Sequence, residues 1–339
     1  MAFTTKASRS ASAATLAAAC TRRDLMLALL AVGIASSGLS GCDNRSSRAL
    51  RVASNSFPAY ELLHSAAALG FLTPGQGKMI RMGSATACLH GLAAGILEGA
   101  CLTLDEVITA LADRLPLRIV AVLSVSLGAD MVVARPGIST LADLRGKRVG
   151  IEQTAVGAVM LHAALKMSSL RVEDVELVYA TVDQHQAAYD NGLVDALVTF
   201  EPVASQLLAS GAVNLVDSSL IPFRIVDVLA VTPTAAERSP ELVDAFIQAH
   251  FHTLEKLLAS DQLVRASLAQ GLGVPVAELD GVYRGLHLLS LEENRDWFAD
   301  GGAKLVQSAN SLQEIMLEAS LVSERVAVRE SIAPFFLPE

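Results

Sequence analysis

LRVASNSFPAYELLHSAAALGFLTPGQGKMIRM, residues 50–82, decides the fold. Residues 50–53 form a short strand-like run, residues 60–69 space their apolar side chains at helical intervals, and residues 79–82 form a second short run. The same text recurs down the chain. Strand-like runs lie at 100–103, 117–125, 148–151, 175–179, 196–200, 213–216 and 226–231, with amphipathic stretches such as 104–115, 156–167 and 203–208 between them. Strand, helix and strand repeated in this way predict an α/β protein whose parallel sheets are covered on both faces. After about residue 232 the strands stop. Ser239-Pro240-Glu241 combines a capping serine with proline at the first helical position, and mostly helical text runs from there to near Leu321.

This order predicts two Rossmann-like lobes with a hinge and a helical C-terminal region. Residues 50–130 begin lobe one, 131–225 form lobe two, and 226–339 return to lobe one and supply the C-terminal helices. The expected crossings are Asp130 to Arg135 and Phe223 to Ala230. Two such connections make a hinge, and the cleft between the lobes is a natural small-molecule site.

The segment before this body has a different character. Residues 1–23 carry Lys6, Arg9, Arg22 and Arg23 against no acid, residues 25–40 are uncharged and mostly apolar, and Leu39-Ser40-Gly41-Cys42 follows. The apolar run falls short of the roughly 20 residues a membrane helix needs, so residues 1–41 read as a signal peptide. Its end resembles a lipobox, which implies lipidation of Cys42, residues 42–49 as a tether, and, with Asp43 next, retention at the inner membrane. Thr21-Arg22-Arg23-Asp24-Leu25-Met26 also looks like a twin-arginine export motif, although paired arginines occur in ordinary signals too.

The whole chain carries a formal charge of −9, and residues 1–41 hold four bases and one acid, so the body is more acidic still. That balance does not suit nucleic acid or an anionic lipid surface. Cys88 reads as helical and Cys101 as a strand residue, which favours two buried thiols over a bridge. His250 and His252 lie two apart on a helix and point to different faces, so no metal site is expected. No nucleophile, base and orienting acid group by motif, and there is no phosphate loop, dinucleotide fingerprint or CxxC pair. The expectation is a protein without cofactor and without catalytic residues.

Candidate binding residues sit where strands hand over to helices, because strand C-termini open onto the crevice of an α/β sheet. Phe57 and Tyr60 follow the first strand and can enclose a small organic group, or simply pack. Gly83-Ser84-Ala85-Thr86 and Gln153-Thr154-Ala155 offer backbone N–H groups and hydroxyls, or ordinary helix caps. Thr103, Asp105 and Glu106 occupy another such turn, where carboxylates also favour the helix dipole. Ser126 and Asp130 bound the turn Ser126-Leu127-Gly128-Ala129-Asp130, and Glu201 follows the 196–200 run. With Arg224 the one base expected near the cleft, these acids point to a ligand bearing an amine or several hydroxyls rather than a bare inorganic anion.

Several of these stretches carry a family resemblance. Residues 51–60, Ala66-Ala67-Ala68-Leu69-Gly70-Phe71, GILEGACLTLDE (95–106), Ser126 to Asp130, LADLRGKRVGI (141–151), and Gly192-Leu193-Val194-Asp195-Ala196 with Glu201-Pro202 resemble solute-binding proteins of nitrate/sulfonate/taurine-type ABC importers. The resemblance spans about residues 50–250, in the family's order and spacing. It implies a periplasmic binding protein type II fold and a monomer on the periplasmic face of the inner membrane. It also implies a small polar solute as ligand and an ABC permease with its ATPase as partners. It places the 83–86 and 153–155 turns in the cleft. Phe57 stands where the family usually has Trp, and Gln153-Thr154-Ala155 replaces its Gly-Ser.

Overall fold

The computed structural model describes residues 49–152, 155–221 and 225–338. The signal segment, the tether, Cys42, Gln153, Thr154 and Arg224 lie outside the described residues.

The first lobe opens with β1 (Leu50–Ser54), α1 (Pro58–Ala68), β2 (Gly77–Arg81), α2 (Ala85–Ala93), β3 (Gly99–Thr103), α3 (Leu104–Ala112) and β4 (Arg118–Ser126). The second holds β5 (Asp130–Ala134), β6 (Arg148–Ile151), α4 (Ala155–Met167), β7 (Glu176–Tyr179), α5 (His185–Asp190), β8 (Ala196–Phe200), α6 (Val203–Ala209) and β9 (Val213–Asp217). The chain then returns through β10 (Val226–Val231) to α7 (Pro233–Arg238), α8 (Pro240–Leu258), α9 (Gln262–Leu272), α10 (Leu279–Tyr283), β11 (Leu286–Leu288) and α11 (Leu291–Glu318). α11 is interrupted at Ala299, Asp300, Gly301 and Gly302, where the backbone leaves helical angles. No helix among the described residues is long and apolar enough to cross a membrane.

Local chemistry sets many of the helix starts. Pro58, Pro233 and Pro240 sit at first helical positions, where a missing N–H costs nothing. Ser290 with Glu293 closes a capping box on α11, and on α3 Glu106 supplies the return half by accepting from the Thr103 amide.

The first sheet runs β11-β4-β10-β3-β1-β2 and the second β7-β6-β8-β5-β9. Strands β3, β5, β8 and β10 are buried along their whole length, which is why they are mostly apolar. Apolar layers flank both sheets, one joining Leu102, Ile108 and Leu312, another Leu63, Leu229 and Phe246, and a third Val149, Leu165 and Val198.

The expectation of purely parallel sheets is corrected. β10 runs antiparallel to β3 and β4, and β5 antiparallel to β8 and β9, while β1, β2 and β3, like β6, β7 and β8, pair in parallel. The reason is topological. β4 and β9 end at the cleft, so the strand that follows each crossing starts at the cleft and must run away from it. Asp130 to Ala134 is therefore a buried strand and not a crossing. The first crossing is Leu127, Gly128 and Ala129, and the second begins at Ser218. β11 is a further strand beyond residue 232.

The crossings are tied to each other. The Ser126 amide donates to the Ile225 carbonyl at 3.0 Å, the Gly128 amide to Ser218 Oγ at 2.7 Å, and the Ser126 and Ser218 hydroxyls lie 2.7 Å apart. Gly128 has φ +125, where an L side chain is strained. Gly285 backs the first crossing, and a Cβ there would stand 2.5 Å from the Ala129 nitrogen. Gly285→Ala should therefore destabilise the protein by about 1–3 kcal/mol and lower its thermal midpoint by several degrees. An unchanged midpoint would show that the crossing yields freely.

Candidate functional site

The C-terminal ends of β1, β3, β4, β6 and β8 and the first residues of β5 and β10 meet in the space between the sheets. A cavity of about 1070 Å³ opens beside it, bordered by Thr86, Glu106 and Glu318 from the first lobe and by Ile151, Glu152, His162 and Lys166 from the second. Behind it is a void of about 10 Å³ lined by Asp130, Glu152, His185, Thr199 and Phe200, so Glu152 borders both. The lobes touch across this space. The Phe57 and Phe200 rings meet edge to face with centroids 5.5 Å apart, and His162 and Lys166 of α4 reach Glu318 of α11 at 3.3 and 3.2 Å.

Acids cluster at these strand ends. Asp105, Glu106, Asp130, Glu152, Glu201 and Asp227 are all buried. Three of them serve the fold. Glu106 accepts from the Thr103 amide at 2.8 Å, Glu201 accepts from the Ser205 amide and hydroxyl at 3.1 and 2.8 Å, and Asp227 accepts from the Tyr60 hydroxyl at 2.7 Å and the Ser124 hydroxyl at 2.5 Å. Asp105 and Asp130 are not engaged in that way. Neither Asp105 oxygen makes a sound hydrogen bond, although the Thr103 hydroxyl lies near, and Oδ2 of Asp130 has no partner. Burial pushes Asp105, Asp130 and Asp227 up to about 7, and the acids reinforce one another: Asp130 acts on Asp105, Asp227 and Glu201 on Asp130, and Asp105 on Asp227. Burial raises Glu106 and Glu201 as well. Three arginines pair away from these acids, Arg51 with Glu98, Arg81 with Glu61 and Arg148 with Asp195.

The expected binding residues that the structure describes each have a definite place. Phe57 is buried between Tyr60 and Phe200 and so joins the lobes. The Tyr60 hydroxyl is taken by Asp227. Ser84 accepts from the Ala87 amide at 3.1 Å and caps α2, while Thr86 faces the large cavity. Ser126 belongs to the crossing, its Oγ accepting from the Asp130 amide at 3.2 Å. Asp105 and Asp130 reach the cleft from opposite lobes, and Glu201 is held by α6. Gln153, Thr154 and Arg224 lie outside the described residues.

Sequence reasoning missed Asp227, Glu152, His185 and Thr199. Asp227 had a signal: a lone acid inside the apolar run 226–231 must find a partner or stay protonated. His185 is buried, its Nδ1 lies 3.1 Å from Thr199 Oγ1, and burial lowers it to about 4, so the ring is neutral. Among the described residues no group of three or more His, Cys, Asp or Glu is arranged to hold a metal ion. Cys88 and Cys101 are buried and unbonded. Burial, with Glu106 nearby, pushes the Cys88 thiol up to about 12, and burial raises Cys101 well above its ordinary value, so neither is a ready nucleophile.

Residues 85–262, more than half the chain, match the model of the NMT1/THI5-like family. The chain belongs to this family. It is 24% identical over 241 residues to the taurine-binding periplasmic protein of Escherichia coli (strain K12), covering 68% of this chain and 75% of the relative. Its fold is similar to that of the alkanesulfonate-binding protein from Xanthomonas axonopodis pv. citri bound to MOPS, with TM-score 0.68, 20% identity, and 85% and 98% of the two chains covered. A desulfurization enzyme has the same fold at TM-score 0.61 and 20% identity, with 85% and 97% covered. The expected periplasmic binding protein type II fold, two lobes with a hinge and a helical C-terminal region, is borne out.

The buried acids set a pH dependence. Folded Asp105, Asp130 and Asp227 bind protons more tightly than unfolded carboxyls, which titrate near pH ~4. The stability they contribute is complete below that value and is lost as pH rises through about 7. The thermal midpoint of the ligand-free protein should fall as pH is raised across this window. Asp105→Asn should flatten the fall and raise the midpoint on its alkaline side. Equal slopes in both proteins would mean that Asp105 does not titrate there.

Proposed function

We propose that the protein is the solute-binding component of an ABC importer. It captures a small polar organic solute between its lobes and delivers it to a membrane permease served by an ATPase. One observation carries this reading. Two crossings join lobes whose strand ends carry a cluster of buried acids, beside an inter-lobe cavity of about 1070 Å³ that Glu106 and Glu152 border, in a family with a taurine-binding periplasmic relative. Closing the lobes removes the solute from water and creates the form a permease can recognise, so differential affinity for open and closed states is the working principle.

The body would act on the periplasmic side of the inner membrane, held there by a lipid on Cys42 behind the short tether that follows it. Anchoring keeps an acidic receptor close to its transporter, which its own charge would not do. No catalytic role is proposed, because the two described thiols are raised out of reach of ionisation.

Thermal unfolding against sulfonates, amino-sulfonates, pyrimidines, nitrate and urea-like compounds checks the capture step. A true ligand at a hundredfold its dissociation constant adds about 2.7 kcal/mol, a shift of a few degrees for a chain of this size. Turnover of a compound without any shift would replace the receptor by an enzyme. For the anchor, Cys42→Ala should move the protein from the membrane to the soluble fraction or leave it unprocessed. Membrane association with unchanged processing would remove the lipid from the account.

A further inference from the structure

Asp105 and Asp130 come from opposite lobes, Asp105 from the first turn of α3 and Asp130 from the first residue of β5, and lie near enough to act on each other's charge. Both are almost wholly buried, at 1% and 3% exposure. Both oxygens of Asp105 and Oδ2 of Asp130 lack a hydrogen-bond partner. The neighbouring acids are accounted for: Glu106 by the Thr103 amide, Glu201 by Ser205, and Asp227 by Tyr60 and Ser124. Removing a carboxylate from water costs several kcal/mol unless a cation or donors replace the water. Two such groups side by side add repulsion to that cost.

A second, independent group points to the same place. Nε2 of His185, 1% exposed, has no partner, and the ring borders the void that Asp130 also borders. Phe200 forms another wall of that void and meets Phe57 across the cleft, so an aromatic pair flanks the acids.

We infer that the cleft takes a small organic cation whose protonated nitrogen, as ammonium, amidinium or guanidinium, sits between Asp105 and Asp130. Closing the lobes and neutralising the two acids are then a single event. Without the cation, closure drives two like charges into a dry site and the open form is favoured; with it, the same closure completes an ion-paired network. A sulfonate or nitrate brings further negative charge and meets only repulsion from this pair. The inference rests on the solute-binding reading and names the charge of its solute.

The test uses the purified full-length protein in mild detergent at slightly alkaline pH. Thermal midpoint and X-ray scattering are measured with propylammonium, acetamidinium, methylguanidinium and benzamidinium chlorides, and with sodium ethanesulfonate and nitrate, at matched ionic strength. At least one cation should raise the midpoint by several degrees and reduce the radius of gyration, and the anions should do neither. Asp105→Asn and Asp130→Asn keep shape and volume, and each should weaken the cation at least about tenfold while retaining a cooperative transition. If one variant does not fold, the other carries the comparison. Stabilisation by ethanesulfonate or nitrate and by no cation would overturn the charge assignment and leave the solute-binding reading standing. Cation affinity unchanged in the Asn variants would overturn the site. Stabilisation by none of the six would overturn the inference and count against the reading beneath it.

Discussion

The crossing of the chain from one sheet to the other, made twice side by side, is the constraint on which the rest of the structure depends. A strand that arrives through a crossing starts at the cleft, so β5 and β10 must run against their neighbours. That places the first residues of both strands, Asp130 and the Val226-Asp227 pair, where the other strands have their ends. The crossings therefore do more than connect. They bring residues distant in sequence to one crevice, and the hydrogen bonds among Ser126, Gly128, Ser218 and Ile225 hold the two passages in register. Since each sheet's hydrogen-bond ladder lies within its own lobe, relative motion of the lobes leaves both ladders intact.

Much of this architecture was legible in the text. All nine strand-like runs appear as strands within a residue or two, the central ones because burial on both faces demands apolar side chains and the edge strands β2, β7 and β9 despite partial exposure. Two strands were not legible, for different reasons. Asp130 to Ala134 follows a Ser-Leu-Gly-Ala turn, and the turn signal drew the whole segment into a connection although Met131-Val132-Val133 is ordinary strand text. β11 spans three residues and exists only because β4 offers it an edge, which no local pattern encodes.

The candidate site was legible as a set of positions and less so as a set of roles. Strand-to-helix turns were rightly expected at the cleft, but a hydroxyl or carboxylate at such a turn can face inward or serve its own helix. Ser84, Glu106 and Glu201 turned out to be occupied by amides or hydroxyls three or four residues away, and those spacings are visible in the sequence. The pairing of Tyr60 with Asp227 spans 167 residues and is set by the return crossing alone. Asp105 and Asp130 stand apart because each keeps a buried carboxylate oxygen without a well-formed hydrogen bond, although Thr103 and Ser126 lie near. A residue left over after local chemistry is satisfied is the better functional candidate, and that subtraction requires coordinates.

The same subtraction explains how one fold can serve ligands of opposite charge. The crevice, the helix starts and the crossings come from topology and are indifferent to the solute. The charge of the solute is decided by side chains at a handful of strand ends, and in this chain Asp105 and Asp130 are both acids held away from water. Changing such residues leaves every ladder and cap in place, so the sign of the site can reverse without disturbing the scaffold that closes around it. Family membership therefore constrains the motion of the molecule more tightly than it constrains the chemistry of what the molecule holds.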